Sequence, residues 1–304
     1  MSGSRSNVFT PAFVGSAAAV GAFGLWGLIP VYFKAVAAVP ALEIIAHRVV
    51  WSALLLALVL LLVGRWRVVQ AAVLDRRLMR TLAASAALIG INWTIFVWAV
   101  NNDRVLETSL GYFINPLVNV LLGVAFLKER LRAGQWTAVA LAAGGVGNLV
   151  VGYGALPWVA IALPVTFGLY GLLRKLARVD AMTGLLVETT VLSPVAVVYL
   201  VWLAASGGGA FLRAGPAVDL LLLAAGPVTA VPMMWFAAAA RRLKLSSLGF
   251  FQYLAPTLTF LLGVFVYHEP FDPARQLTFA LIWLALAIYS VDSMVAGRRP
   301  RKGP

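Results

Sequence analysis

The sequence predicts an all-α membrane protein of ten transmembrane helices, built as two five-helix repeats of opposite orientation. Three observations carry that prediction: a composition too apolar for water, a one-sided distribution of basic residues, and an internal similarity at a single offset. Ordinary soluble chains are about half apolar and about a quarter charged. This chain of 304 residues is 62% hydrophobic and 12% charged, with mean hydropathy +0.92. A soluble domain of that length cannot hide so much apolar surface, so lipid must be the solvent for most of it. The apolar stretches run long and unbroken rather than short and alternating, which selects helices over a transmembrane β-barrel.

A span needs about 20 apolar residues to cross a hydrocarbon core roughly 30 Å thick. Ten windows qualify: 11–33, 41–63, 81–101, 106–127, 135–151, 156–173, 181–204, 219–240, 246–267 and 276–296. Small residues at Ala17 to Ala19 sit inside the first span rather than after it, so no cleaved signal peptide is expected.

With ten spans, 19 of the 24 Lys and Arg residues fall on one side and 4 on the other, with Arg48 inside a span. The positive-inside rule reads this as both termini cytoplasmic. It also accounts for the net charge of +13 without nucleic acid. The tail 297–304, with Arg298, Arg299, Arg301 and Lys302, is then a basic cytoplasmic flank that favours anionic headgroups. Cysteine is absent, and two histidines cannot build a multi-histidine metal centre, so neither a metal nor a cofactor is expected. There is no P-loop, H-E-x-x-H or G-x-S-x-G motif, which disfavours a membrane enzyme.

Sliding the chain by 140 residues aligns Pro116, Leu121-Leu-Gly-Val124 and Glu129 with Pro256, Leu261-Leu-Gly-Val264 and Glu269. The halves are 11–151 and 156–296. Five spans is an odd number, so the second half is inverted relative to the first. Inverted repeats recur in secondary transporters, whose halves rock about a site near the midplane. Channels and membrane scaffolds also arise by duplication and stay open as alternatives.

Ionisable groups inside a membrane usually face a cavity or a partner. Arg48 and Glu188 lie seven residues into the second and seventh spans, 140 apart. They read as an anion-binding group and a proton-titratable group flanking the midplane, or as a structural charge pair. Tyr112, Asn115 and Asn119 form one stripe on the fourth span, and Glu43, His47 and Trp51 another on the second. Gln252 and Thr259 share a face of the ninth, with Tyr253 beside it, while Asn92 and Trp93 lie deep in the third. Trp26 is a further deep aromatic; Trp66, Trp136, Trp158 and Trp202 lie near span ends, where an aromatic belt explains them. Pro116 and Pro256 are candidate hinge kinks. Glu129 and Glu269 are expected to complement the N-terminal dipoles of the fifth and tenth spans. Ala143-xxx-Gly147 suits close helix packing and is no nucleotide loop.

Several strings carry a resemblance. They are Trp26-Gly-Leu-Ile-Pro-Val-Tyr32 with Lys34, Glu43 to Ser52, Asn92-Trp93, Thr108 to Leu117, Phe167 to Tyr170, Glu188-Thr189 and Gln252 to Thr257. Together they resemble the EamA-type branch of the drug/metabolite transporter superfamily, and within it the RarD group. The likeness spans nearly the whole chain. It implies a permease of the bacterial cytoplasmic (inner) membrane, working as an exporter by alternating access without ATP hydrolysis. Its partners would be a small-molecule substrate and the bilayer, with monomer and homodimer both open. The expected substrate-lining set is Trp26, Tyr32, His47, Arg48, Trp51, Asn92, Trp93, Tyr112, Asn115, Asn119, Glu188, Gln252 and Tyr253.

Overall fold

The apolar windows become helices because lipid cannot satisfy a bare backbone, and an α-helix pairs its N–H and C=O groups internally. The computed structural model describes residues 11–128, 130–243 and 245–298, and these contain no strand. The first half comprises α1 (Pro11–Ala35), α2 (Ala41–Leu62), α3 (Trp66–Leu74), α4 (Arg76–Asn101), α5 (Val105–Leu127) and α6 (Ala133–Tyr153). The second comprises α7 (Trp158–Ala177), α8 (Ala181–Ser206), α9 (Pro216–Ala240), α10 (Leu245–Phe251), α11 (Leu254–Leu261) with a π-turn at Leu262–Val266, and α12 (Pro273–Arg298). Among the described residues nine helical segments are long and apolar enough to cross a membrane, and α6 falls outside that set. The chain is an all-α membrane protein.

Helix ends follow local chemistry. Asp75 opens α4 by accepting from the amides of Arg77 and Leu78, and Asp180 opens α8 by accepting from Thr183. Gly154 and Gly207 close α6 and α8 at φ +64° and +77°, each donating back into the last turn. Close approach is set by small residues. A Cβ at Gly226 of α9 would lie 2.7 Å from the Trp51 carbonyl oxygen of α2, and one at Gly27 of α1 2.7 Å from Leu258.

The long helices pack across the two halves of the sequence. α6 lies along α12 and α2 against α8; α4 packs on α7 and α1 on α9; α5 packs on α7 and α11 on α1. The face of α6 that meets α12 is not the one expected. Ala143 and Gly147 are exposed, whereas Ala138, Ala142, Gly145 and Leu149 are buried. Polar groups fasten this contact: Thr278 donates to the Gly145 carbonyl at 2.9 Å, and Asn148 Nδ2 donates to the Ala274 carbonyl at 2.7 Å.

Three further departures have physical causes. The segment between the second and third spans is a short amphipathic helix, α3, with Val69 and Ala72 buried. The ninth span is broken at Gln252 and Tyr253. Pro256 has no amide to give the carbonyl four residues earlier, and its ring crowds that carbonyl. α5 stays continuous through Pro116, so the two prolines do not act alike on their helices.

The third concerns Glu269, which serves a different helix from the one expected. It accepts from the amides of Val105 at 2.5 Å and Leu106 at 2.9 Å, at the start of α5 rather than of α12. Asp272 serves α12 instead, accepting from the Arg275 amide. Glu129 lies outside the described residues. Glu269→Ala orphans two N–H groups and is expected to cost about 2 kcal/mol. Glu269→Gln, which keeps one acceptor, should lose roughly half of that. Thermal unfolding of the two purified variants checks the order, and equal losses would refute the capping role.

Candidate functional site

Apolar side chains dominate the buried set, so the buried polar groups, and the charged ones above all, mark where the interior differs. Arg48, 7% exposed, is the charged group at the centre of the bundle. Its Nε donates to Thr229 Oγ1 on α9 at 2.8 Å. Its guanidinium stands 4.0 Å from the ring centroid of Trp93 on α4 and 5.8 Å from that of Phe33 on α1. The rings give it the negative π-face that a cation seeks. Among the described residues no carboxylate lies within ion-pair distance of it.

The wall around Arg48 is aromatic with a polar flank. Phe96 stacks edgewise on Phe33, and Tyr112 of α5 sits 5.8 Å from Phe96 and 6.1 Å from Phe167 of α7. The Tyr32 and Tyr112 hydroxyls lie within electrostatic reach of the guanidinium. Tyr32 donates to the Leu221 carbonyl at 2.9 Å. Asn92 donates to the Leu163 carbonyl and to Thr166 Oγ1, both at 2.9 Å, while Tyr112 reaches its Oδ1 at 3.4 Å. The oxygen Oδ1 of Asn115 is buried without a protein partner. Asn119 lies lower on the same stripe, its Oδ1 3.1 Å from where a Gly168 Cβ would stand. Helices α1, α2, α4 and α5 thus bring Tyr32, Arg48, Asn92, Trp93 and Tyr112 to one region.

Glu188 does not join that region and does not pair with Arg48. It is fully buried between α4, α7 and α8. It accepts from Ser85 Oγ at 2.6 Å and from the Tyr170 hydroxyl at 3.2 Å, and its counter-ion is Arg174, Nε at 3.7 Å. Arg174 also donates to the Asp180 carbonyl oxygen at 3.1 Å, and Asp180 pairs with Arg65 at 3.0 Å. Burial works to raise the Asp180 carboxyl, but hydrogen bonds from Thr183 and Met182 and the charge of Arg65 together hold it below its ordinary value.

The other expected residues scatter. Glu43 accepts from the amides of Ala210 and Phe211, pinning the loop between α8 and α9. His47 follows one turn on, packed at 4.8 Å and tilted 50° against Phe211 and accepting from Trp51 Nε1 through Nδ1. That stripe therefore grips a loop instead of lining the centre. Trp26 packs with Phe23 and Phe236 in a separate cluster. Gln252 is exposed while Thr259 is buried and donates to Gly27, because the break at 252–253 resets the helical face. Tyr253 packs beside α12, away from Arg48.

Sequence reasoning missed Phe33, Phe96 and Thr229 around Arg48, and Ser85, Tyr170 and Arg174 around Glu188. Thr229 alone carried a signal, as a hydroxyl between Pro227 and Pro232 within one span.

Comparison with known proteins shows the family. The EamA-like transporter family matches residues 13–151. An uncharacterized transporter of Vibrio cholerae is 52% identical over 93% of this chain and 94% of its own length. Protein RarD of Escherichia coli is 47% identical over 93% of this chain and 96% of its own. A protein crystal structure 20% identical to it superposes with a TM-score of 0.57 over 91% of this chain and 96% of that one, which supports the fold. The chain is a multi-pass membrane transporter and belongs to the EamA-like family of the drug/metabolite transporter superfamily, in its RarD group.

Proposed function

We propose that this transporter carries a small organic anion with an apolar body across the bacterial cytoplasmic membrane, by alternating access and without ATP. The observation that carries this reading is Arg48: a buried cation with one neutral hydrogen bond, two aromatic faces and no carboxylate. An unpaired charge in a low-dielectric interior is expensive, and an anionic ligand relieves it. The aromatic wall supplies the complementary apolar contact.

Two inverted halves, 11–151 and 156–296, would rock about this site. In support, α2 and α8, α4 and α9, and α6 and α12 begin 140 residues apart. Lys128 and His268, also 140 apart, share a left-handed backbone at φ 55° and 51°. Exchanging the halves turns the contact of α4 with α7 into that of α9 with α1, and α5 with α7 into α11 with α1. Both termini are assigned to the cytoplasm and the direction to export. The pairs Arg65–Asp180 and Arg132–Asp292 join groups assigned to one face, and Lys34–Asp103 joins groups on the other. A second reading keeps Glu188 as carrier of a coupling proton, favoured by its complete burial.

The test is thermal-shift screening of purified protein against carboxylates, sulfonates and phosphate esters beside matched neutral amides and amines. Ligand binding to the folded state raises its stability. Anions with an apolar body should raise Tm and show saturable counterflow in proteoliposomes. Stabilisation by amines and neutral solutes alone would sink the proposal, and single-channel currents would indicate a channel.

A further inference from the structure

The helix α3 was not expected, and it belongs to no site described so far. At 100° per residue its buried residues Val69 and Ala72 centre one face, and Arg67 and Gln70 point the opposite way. Flanking the buried face, apolar side chains stay exposed: Trp66 at 38% and Val73 at 49% on one side and Val68 at 40% on the other, while Leu74 at 80% stands on the outer side with Arg67. The helix therefore rests on the bundle along one line and offers the apolar flank of Trp66 and Val73 to its surroundings, with Arg67, Gln70 and Leu74 on its outer edge. That is how a helix lying in a membrane interface is built.

The basic groups gather at this place. Arg67, Arg76, Arg77 and Arg80 are all exposed, on α3 and the first turns of α4. The ion pairs among the described residues lie elsewhere, so none of these four has an acidic partner. The nearest carboxylate in sequence, Asp75, is engaged by two amides of α4. Helix stability does not explain the arrangement, because positive charge at a helix N-terminus opposes the macrodipole. The positive-inside rule asks for basic residues on one face. It does not ask for four unpaired arginines on one hairpin beside exposed tryptophan and leucine.

We infer that α3 and the start of α4 form a docking surface for anionic phospholipid, with Arg67, Arg76, Arg77 and Arg80 on the headgroup phosphates and the flank of Trp66 and Val73 against the acyl chains. Charge complementarity selects the occupant: a zwitterionic headgroup presents its phosphate beside a cation, and an anionic one does not. Guanidinium forks suit phosphate oxygens. The inference stands apart from the transport reading and does not depend on the cargo.

The experiment titrates the purified full-length protein in neutral detergent with phosphatidylglycerol, phosphatidylcholine or inorganic phosphate, reading bound lipid by native mass spectrometry. Phosphatidylglycerol should bind about tenfold more tightly than phosphatidylcholine, and inorganic phosphate should not compete at equal concentration. R67Q/R76Q/R77Q should lose about tenfold in phosphatidylglycerol affinity, whereas R298Q/R299Q/R301Q in the tail should keep it. Equal affinity for both lipids, competition by phosphate, an unaffected hairpin variant or loss in the tail variant would each overturn the inference. Should the hairpin variant not fold, the unaltered protein decides. Its phosphatidylglycerol affinity must fall several-fold as salt rises from about 50 to about 500 mM, and a flat response overturns the proposal.

Discussion

Replacing Arg48 with methionine is expected to raise the melting temperature of the purified protein while abolishing its response to anionic ligands. The guanidinium has surrendered its hydration for one bond to Thr229 and the faces of Trp93 and Phe33. Replacing buried ionic groups with apolar ones of similar volume is often neutral or stabilising by about 1–4 kcal/mol. Methionine follows the same path through the interior with a flexible apolar chain. Thr229 is not orphaned by the change, because its hydroxyl already donates to the Ala225 carbonyl at 2.9 Å. A gain of about 1–2 kcal/mol would appear as a rise of a few degrees. Arg48→Lys should keep the charge but lose the planar stacking and forked recognition, leaving a weakened ligand response. A fall of several degrees in Arg48→Met would place Arg48 among the structural residues. So would an undiminished anion response.

That opposition of stability and function fits the way the sequence could and could not be read. Helix positions were legible because a span needs a fixed length of apolar residues, and lipid enforces helicity without help from tertiary contacts. The helix α3 was not legible as a separate element. Its nine residues are too few for a span, and its Arg67 and Gln70 made the segment look like a loop. The break at Gln252 was signalled only by Pro256, and Pro116 shows why that signal is ambiguous. A missing amide breaks a helix only where neighbours do not hold it straight.

The site divides along similar lines. An intramembrane arginine and glutamate announce themselves by their solvation cost, so Arg48 and Glu188 could be picked out at once. Their partners could not. Arg174 counted as one more flanking charge, yet its side chain turns inward over Gly184, where a Cβ would collide with the guanidinium. Periodicity placed His47 and Trp51 on one face, but which neighbour meets that face is a tertiary fact; here it is the loop carrying Phe211.

Glu188→Ala is expected to be the most destabilising single change, costing about 3–5 kcal/mol. It leaves the largely buried Arg174 guanidinium without its counter-ion and strips Tyr170 of its acceptor, while Ser85 keeps only the Leu82 carbonyl. Glu188→Gln keeps an oxygen for one hydroxyl and removes the charge, so its loss should be smaller but measurable. Gly184→Ala should imitate part of the alanine effect by pushing Arg174 off its seat, although nothing at Glu188 itself is altered. The double variant R174M/E188M removes both charges together and should recover most of the stability lost by Glu188→Ala, because the penalty lies in the unpaired partner. Thermal unfolding of these proteins together with the single variants R174M and E188M measures this coupling. Additive losses would show that Arg174 and Glu188 act independently and would refute the lock. The same variants separate the lock from proton coupling. If Glu188→Gln folds and its counterflow of a stabilising anion still varies with pH as before, Glu188 holds α4, α7 and α8 together and carries no proton. If the pH dependence disappears while binding persists, the carboxyl that fastens these helices also loads the proton.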